Sequence, residues 1–396
     1  MLPVLADDLN LADYYLFDRL REGFADTPAI LFGEQRHSYR EVAHRARSFA
    51  RFLASVGVRR EERVLIILHD TPAFAWAFFG TLHQGAVVAM GNPEAPAEDL
   101  AYLVEYTRAT VVVTIGRVAQ AIEGALGEAK LRALVACAEV ATGGDVLAPS
   151  GYFSAKLAAG PGEGVVELAA ALARGAERLS DPALAPQKTH RDDVAIWLFT
   201  SGSTGRPKAN LHAHGAFAFN TEVYAKQTVG YRAGAVTVSV PRLSFGCATG
   251  TNLMFPFAVG ATAGLFAERP TPESLSQAIA RYRPTIVTNV PTMMGKLLDH
   301  DEREQAAGRP ALDFSSVRFH LSAGEALPEP LLRRFTERFG AEVYDGIGSA
   351  EMFHIYCSNR PGDVKPGTLG RVVTGYELKI LPAEASEPGG EPIGVI

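Results

Sequence analysis

Trp197-Leu198-Phe199-Thr200-Ser201-Gly202-Ser203-Thr204-Gly205-Arg206-Pro207-Lys208 decides how the rest of the chain is read. The apolar residues 194–199, with β-branched members, predict a buried strand end. Hydroxyls and glycines follow at once. Glycine lets the backbone approach an anion closely and take positive φ, so successive N–H groups turn inward. Thr200, Ser201, Ser203 and Thr204 add hydroxyl donors, and Lys208 adds a fixed positive charge. The chemical sense is a clamp for a polyphosphate. A Walker A loop is excluded, because Pro207 stands between the glycines and the lysine. A flexible linker needs neither the preceding buried strand nor the closing Pro-Lys.

Composition bounds the rest. The chain has 396 residues, 47% hydrophobic and 21% charged. That supports a large core in more than one lobe. A formal net charge of −6 argues against nucleic acid as the main partner. Cys137, Cys247 and Cys357 show neither metal spacing nor a disulfide framework, which fits a reducing cytoplasm. The N-terminus lacks the basic start and apolar core of a secretory signal. The apolar stretch 253–267 is too short for a membrane span and contains Pro256.

Before the phosphate loop, apolar periodicity predicts a helix over 39–56, with helices also at 72–84 and 97–108. Strands are expected at 63–68, 86–90 and 110–114. Alternating strands and helices imply right-handed crossovers and a parallel sheet. The aromatics Phe74, Trp76, Phe78 and Phe79 read as core. From 141 to 187 the pattern loosens into a surface excursion holding one helix, about 165–178. A second α/β set follows, with strands at 236–240, 261–266, 285–289 and 317–322 and helices opening at Pro272 and Pro291. The charge run 299–304 reads as a solvated helix end or loop. After Leu369 short strands such as 377–381 suggest a small β-rich lobe. His212 and His214 alternate without a third ligand, so packing is the better reading than metal.

The segment T-S-G-S-T-G-R-P-K at 200–208 resembles the phosphate loop of the acyl-adenylating superfamily: acyl- and aryl-CoA synthetases, peptide-synthetase adenylation domains and firefly luciferase. Other segments agree in order over nearly the whole chain. The resemblance implies an α/β fold of two packed sub-lobes with mostly parallel sheets and a small β-rich, distorted-barrel lobe. The approximate sub-lobe boundaries are 1–187, 188–314 and 315–396. In that family a glycine-rich turn like the one at 390–394 precedes a ribose-binding aspartate, a hinge and a small mobile C-terminal domain. Neither that domain nor its catalytic lysine has a counterpart in these 396 residues, so the full reaction is expected to be impaired.

The implied chemistry is attack of a carboxylate on the α-phosphate of ATP, a matter of positioning and charge neutralisation rather than of a protein nucleophile. By resemblance Thr200, Ser201, Gly202, Ser203, Thr204, Gly205 and Lys208 serve the phosphates. Ser322, Ala323, Gly324 and Glu325 lie along the adenine, with Tyr344, Asp345, Gly346 and Ser349 beside it. Glu351 binds Mg2+, which prefers hard oxygen ligands. Thr200, Lys208 and Glu351 are the catalytic set. Ala350 departs from the family's threonine and removes a donor.

The segment Arg242-Leu243-Ser244-Phe245-Gly246-Cys247, with residues 345–355, resembles benzoate-type CoA ligases in particular. That assigns Phe245, Gly246, Cys247, Ile347, Gly348 and His354 to an aryl pocket. Benzoate ligases tend to carry alanine and tyrosine where Gly246 and Cys247 align, so an enlarged wall is expected here. His354 reads equally as a polar contact or a satisfied core residue. The implied activity is conversion of a substituted benzoate, anthranilate- or salicylate-like, to an aryl-AMP and then transfer to coenzyme A. The rivals are loading of an acyl carrier protein and a non-catalytic adenylate-binding module.

Overall fold

A computed structural model describes residues 2–158, 162–200, 205–382 and 394–395. The first sheet uses β-branched runs that are buried on both faces. Its strands are β3 (Arg63–Ile67), β4 (Val87–Met90), β5 (Val111–Ile115), β6 (Ala133–Cys137), β7 (Val165–Glu167), β8 (Val194–Thr200) and β9 (Lys208–Ala213). Their order is β7-β6-β5-β3-β4-β8-β9. All neighbours pair in parallel except β8 and β9, which form an antiparallel hairpin.

The second sheet has nine strands. They are β1 (Pro28–Phe32), β2 (Gln35–Ser38), β10 (Val236–Ser239), β11 (Thr262–Leu265), β12 (Ile286–Asn289), β13 (Phe319–Ser322), β14 (Glu342–Gly348), β15 (Ile355–Ser358) and β16 (Arg371–Val372). The order is β16-β15-β14-β13-β12-β10-β11-β1-β2, parallel from β14 to β1 and antiparallel at both edges. β17 (Leu381–Pro382) and β18 (Gly394–Val395) pair separately.

Helices Pro72–His83 and Leu168–Ala176 pack on the first sheet, and Tyr39–Ser55 packs against both of them. Tyr39–Ser55 starts at a capping box: Ser38 Oγ accepts the Glu41 N–H at 3.2 Å, and Glu41 Oε2 accepts the Ser38 N–H at 2.6 Å. Such a cap is worth about 1 kcal/mol. Pro72–His83 is apolar all round, and Phe74, Trp76, Phe78 and Phe79 are core as expected. The helices touch backbone to backbone. A Cβ on Gly80 would come 2.7 Å from the Ala46 carbonyl, and one on Gly175 only 1.8 Å from that of Ser48.

The sequence reading needs four corrections. Sheet membership does not divide at residues 187 and 314: β1 and β2 join the second sheet, and β8 and β9 the first. Ile30 and Phe32 are fully buried, and pairing with β11 supplies the neighbour that their burial requires. The single helix over 165–178 is instead a strand, β7, and then the helix Leu168–Ala176, because the β-branched Val165 and Val166 pair with β6. The charge run 299–304 is not wholly solvated: Asp301 is 1% exposed and holds Arg338 Nη2 at 2.7 Å. Residues 377–380 are not a strand; pairing begins only at Leu381. The 141–187 excursion reaches the second sheet, where Glu268 accepts the Thr142 N–H at 2.9 Å. Among the described residues no helix is long and apolar enough to cross a membrane.

Candidate active site

The hairpin β8–β9 brings Thr200 opposite Lys208, with Leu198 opposite Asn210. Ser201, Gly202, Ser203 and Thr204 lie outside the described residues. The far limb of the loop is anchored by Tyr102: its hydroxyl donates to the Pro207 carbonyl at 3.3 Å, and Arg206 stacks 5.1 Å over its ring. Gly205 takes φ +89°, which explains a glycine there. Lys208 is exposed.

Parallel pairing aligns Asn289, Ser322 and Asp345 in one row at the carboxyl ends of β12, β13 and β14. Such ends are where open α/β sheets take ligands. A cleft of about 480 Å³ opens there, lined by residues 324–327, 345–348 and 367–369. Asp345 is 6% exposed, and burial pushes its carboxyl up to about 6. Its Oδ1, the Ser322 Oγ and the Asn289 Nδ2 have no hydrogen-bond partner among the described residues. A buried polar atom left unpaired costs about 1–3 kcal/mol, so an incoming partner is favoured.

Tyr344 faces away from that cleft, and Glu325 lines it while its carboxylate is engaged elsewhere. Alternation along β14 sends Tyr344 to the face opposite Asp345. There its ring packs 4.9 Å from Phe319, and its hydroxyl donates to Glu342 Oε2 at 2.8 Å. The Glu325 carboxylate accepts the Thr292 N–H at 3.0 Å and its hydroxyl at 2.6 Å. It therefore caps the helix Pro291–Ala306.

Glu351 is exposed in the turn between β14 and β15 and has no hydrogen-bond or ion-pair partner among the described residues. A lone free carboxylate suits a divalent cation whose remaining ligands are phosphate oxygens and water. The cluster His69, Glu94 and Glu139 has its donor atoms within 4.8 Å of one another, but it lies elsewhere and Arg117 already bridges both glutamates. Phe353 closes the Glu351 turn with φ +70°, a strained value for an aromatic residue.

On the acyl side His354 is 4% exposed, and burial depresses its imidazole to about 4. Its Nε2 donates to the Cys247 carbonyl at 3.0 Å, while Nδ1 is unpaired. The His354 side chain thus meets the backbone of Cys247. The void expected at Gly246 is closed: a Cβ there would lie 3.0 Å from Leu198 Cδ1 and 3.3 Å from the Phe353 carbonyl oxygen. Phe245 is half exposed.

Sequence reasoning missed Asp70. It is 2% exposed, just beyond β3. It accepts the Leu243 N–H at 3.0 Å and lies 3.5 Å from Arg242. Arg242 in turn donates to the Phe266 and Ala267 carbonyls at 2.9 and 3.2 Å. The available signal was an acid at the carboxyl end of a parallel strand. Asp70 and Arg242 line a second cleft, of about 720 Å³, whose walls hold none of the expected site residues.

The β8–β9 hairpin thus carries Thr200 and Lys208, the cleft opens beside β14, and Glu351 stands in the turn that follows β14. A family model for the AMP-binding enzyme matches residues 17–396. The chain belongs to the AMP-binding enzyme family. This AMP-binding enzyme is 34% identical to the benzoate–CoA ligase of Thauera aromatica, over 96% of this chain and 66% of that protein. It is similar in structure to the anthranilate CoA ligase AuaEII in complex with anthranoyl-AMP, with TM-score 0.81 and 29% identity, over 98% of this chain and 68% of that one. It also resembles a benzoate CoA ligase from Burkholderia xenovorans LB400, with TM-score 0.76 and 34% identity, over 97% of this chain and 70% of that one. The chain therefore spans about two thirds of the length of these relatives.

Proposed function

We propose that this chain carries the adenylating site of an AMP-forming aryl-CoA ligase. The carboxylate of an aryl acid attacks the α-phosphorus of ATP; the bond to the bridging oxygen breaks, and pyrophosphate leaves. The thiol of coenzyme A then attacks the acyl carbon of the aryl-AMP, and AMP leaves. The observation that carries the reading is the buried Asp345 carboxylate with one unpaired oxygen at the floor of the 480 Å³ cleft. The oxygen itself is shielded from solvent, so a rotation of the side chain turns it toward the exocyclic amine of adenine.

Thr200 and Lys208, with Ser201, Gly202, Ser203, Thr204 and Gly205, bind and orient the phosphates. Glu351 offers one hard oxygen to Mg2+, which when bound neutralises charge on the phosphate chain. Phe245, Cys247, Ile347, Gly348 and His354 surround the aryl ring. Ortho-amino or ortho-hydroxy benzoates stand ahead of plain benzoate, now on the small Cys247 alone, because Leu198 occupies the space beside Gly246. Ala350 favours a second reading, an adenylate-binding module without turnover, since its methyl offers phosphate no hydrogen bond.

ATP–pyrophosphate exchange with benzoate and its amino and hydroxy derivatives tests both. Exchange stimulated by an aryl acid supports the ligase. Tight binding of a preformed aryl adenylate with no exchange for any acid would establish the second reading instead.

A further inference from the structure

Alternate residues of a strand share a face, so β9 presents Lys208, Asn210 and His212 on one side. Lys208 stands opposite Thr200 at the phosphate-loop end, and His212 stands opposite Ile196. The His212 ring is 6% exposed, wedged edge-on between Phe217 at 5.5 Å and Phe353 at 6.4 Å. Its Nε2 lies 2.6 Å from the carbonyl oxygen of Ala350, 138 positions away. A carbonyl only accepts, so Nε2 carries the proton.

Ala350 immediately precedes Glu351. The Glu351 side chain makes no hydrogen bond or ion pair among the described residues and feels the His212 ring only as a nearby charge, so the position of its carboxylate is set mainly through the backbone of the turn. That backbone is held at one atom from two sides: the Ala350 carbonyl also accepts the Phe353 N–H at 3.3 Å. We propose that His212 is a positioning residue that ties the Glu351 turn to the strand carrying Lys208, fixing where the metal-binding carboxylate stands relative to the phosphates. The proposal rests on the assignment of Mg2+ to Glu351. Ligand carboxylates work only when their supporting contacts hold them in place, and loss of such support lowers metal affinity.

The test measures Mn2+, standing in for Mg2+, on the 396-residue chain with ATP by electron paramagnetic resonance. ATP binding in excess chelator is measured beside it. His212→Ala is expected to weaken Mn2+ in the ATP complex on the order of 10-fold, while ATP binding without metal stays within about twofold. His212→Gln recovers most of the loss, because its amide N–H donates to the same carbonyl. Glu351→Gln is run alongside. If Glu351→Gln loses the metal and His212→Ala does not, the positioning role is wrong and the metal assignment stands. Equal loss of ATP binding with and without metal in His212→Ala also overturns it, since that marks general collapse of the site. If neither variant changes Mn2+, both assignments fall.

Discussion

Asp70 Oδ1 accepts the backbone N–H of Leu243 at 3.0 Å, across 173 positions of sequence. The bond joins the end of β3 in the first sheet to the segment that leads into Phe245, Gly246 and Cys247. Burial raises the Asp70 carboxyl above its ordinary range, and the Arg242 guanidinium and the Leu243 N–H oppose that rise. Removing one partner of a buried pair strands the other, at about 3–5 kcal/mol. Asp70→Ala is therefore expected to lower stability in urea by about 3 kcal/mol. Asp70→Asn keeps an acceptor for Leu243 and is expected to lose less. Equal stability of Asp70→Ala and the parent chain would show that the contact is incidental.

Lys208 is exposed, and among the described residues it pairs only through its backbone, to Thr200. Lys208→Ala is therefore expected to leave the melting temperature unchanged and to raise the KM for ATP by about 10- to 150-fold, the loss of a charge-assisted phosphate contact of about 1.5–3 kcal/mol. Pyrophosphate-exchange kinetics at varied ATP check this. An unchanged KM places the phosphates elsewhere.

Acid should destabilise the fold through its buried histidines. His320 is fully buried between Phe314 and Phe335, with both ring nitrogens unpaired, and burial depresses it from 6.5 to about 3. Burial also depresses His83 to about 3, and His214 to about 4. Between pH 6.5 and the folded value the unfolded chain binds a proton that the folded chain refuses. Stability is thus full above 6.5 and falls as pH drops, by about 1.4 kcal/mol per pH unit for each such group. His320→Leu removes one of these contributions. Urea midpoints from pH 7 to 4 should fall less steeply for the variant; parallel profiles would show that His320 does not titrate on unfolding.

The strands and helices were legible because apolar periodicity is local, and the phosphate loop because its residues are contiguous. What the sequence hid was long-range. Nothing near residue 30 tells that β1 pairs with β11, and nothing near Asp70 points to Leu243. The direction of single side chains was hidden too. Tyr344 and Asp345 are neighbours in sequence, yet strand alternation sends one into the core and the other into the cleft. Glu325 sits in a nucleotide-like motif, but the helix start at Thr292 claims its carboxylate.

The Leu198–Gly246 contact yields the substrate prediction. Sequence alignment put a void at Gly246, but Leu198 Cδ1 would lie 3.0 Å from a Cβ placed there. Leu198 of β8 therefore packs against Gly246, and in the proposed aryl pocket it would share that wall. Gly246→Ala must push aside the flexible end of Leu198 and is expected to lower kcat/KM for the preferred acid by about 10- to 200-fold, the scale of one methyl group. Leu198→Ala removes three carbons from the same wall. It is expected to lower kcat/KM for unsubstituted benzoate, whose lost contacts cost dispersion energy, and to raise it for acids with a bulkier ring substituent. The double variant Gly246→Ala/Leu198→Ala decides the geometry. If the two side chains share one space, the added methyl partly refills the gap and the effects are non-additive, with a coupling of about 0.5–3 kcal/mol. Strict additivity across a series of ring-substituted benzoates would show that Leu198 and Gly246 do not form a common wall.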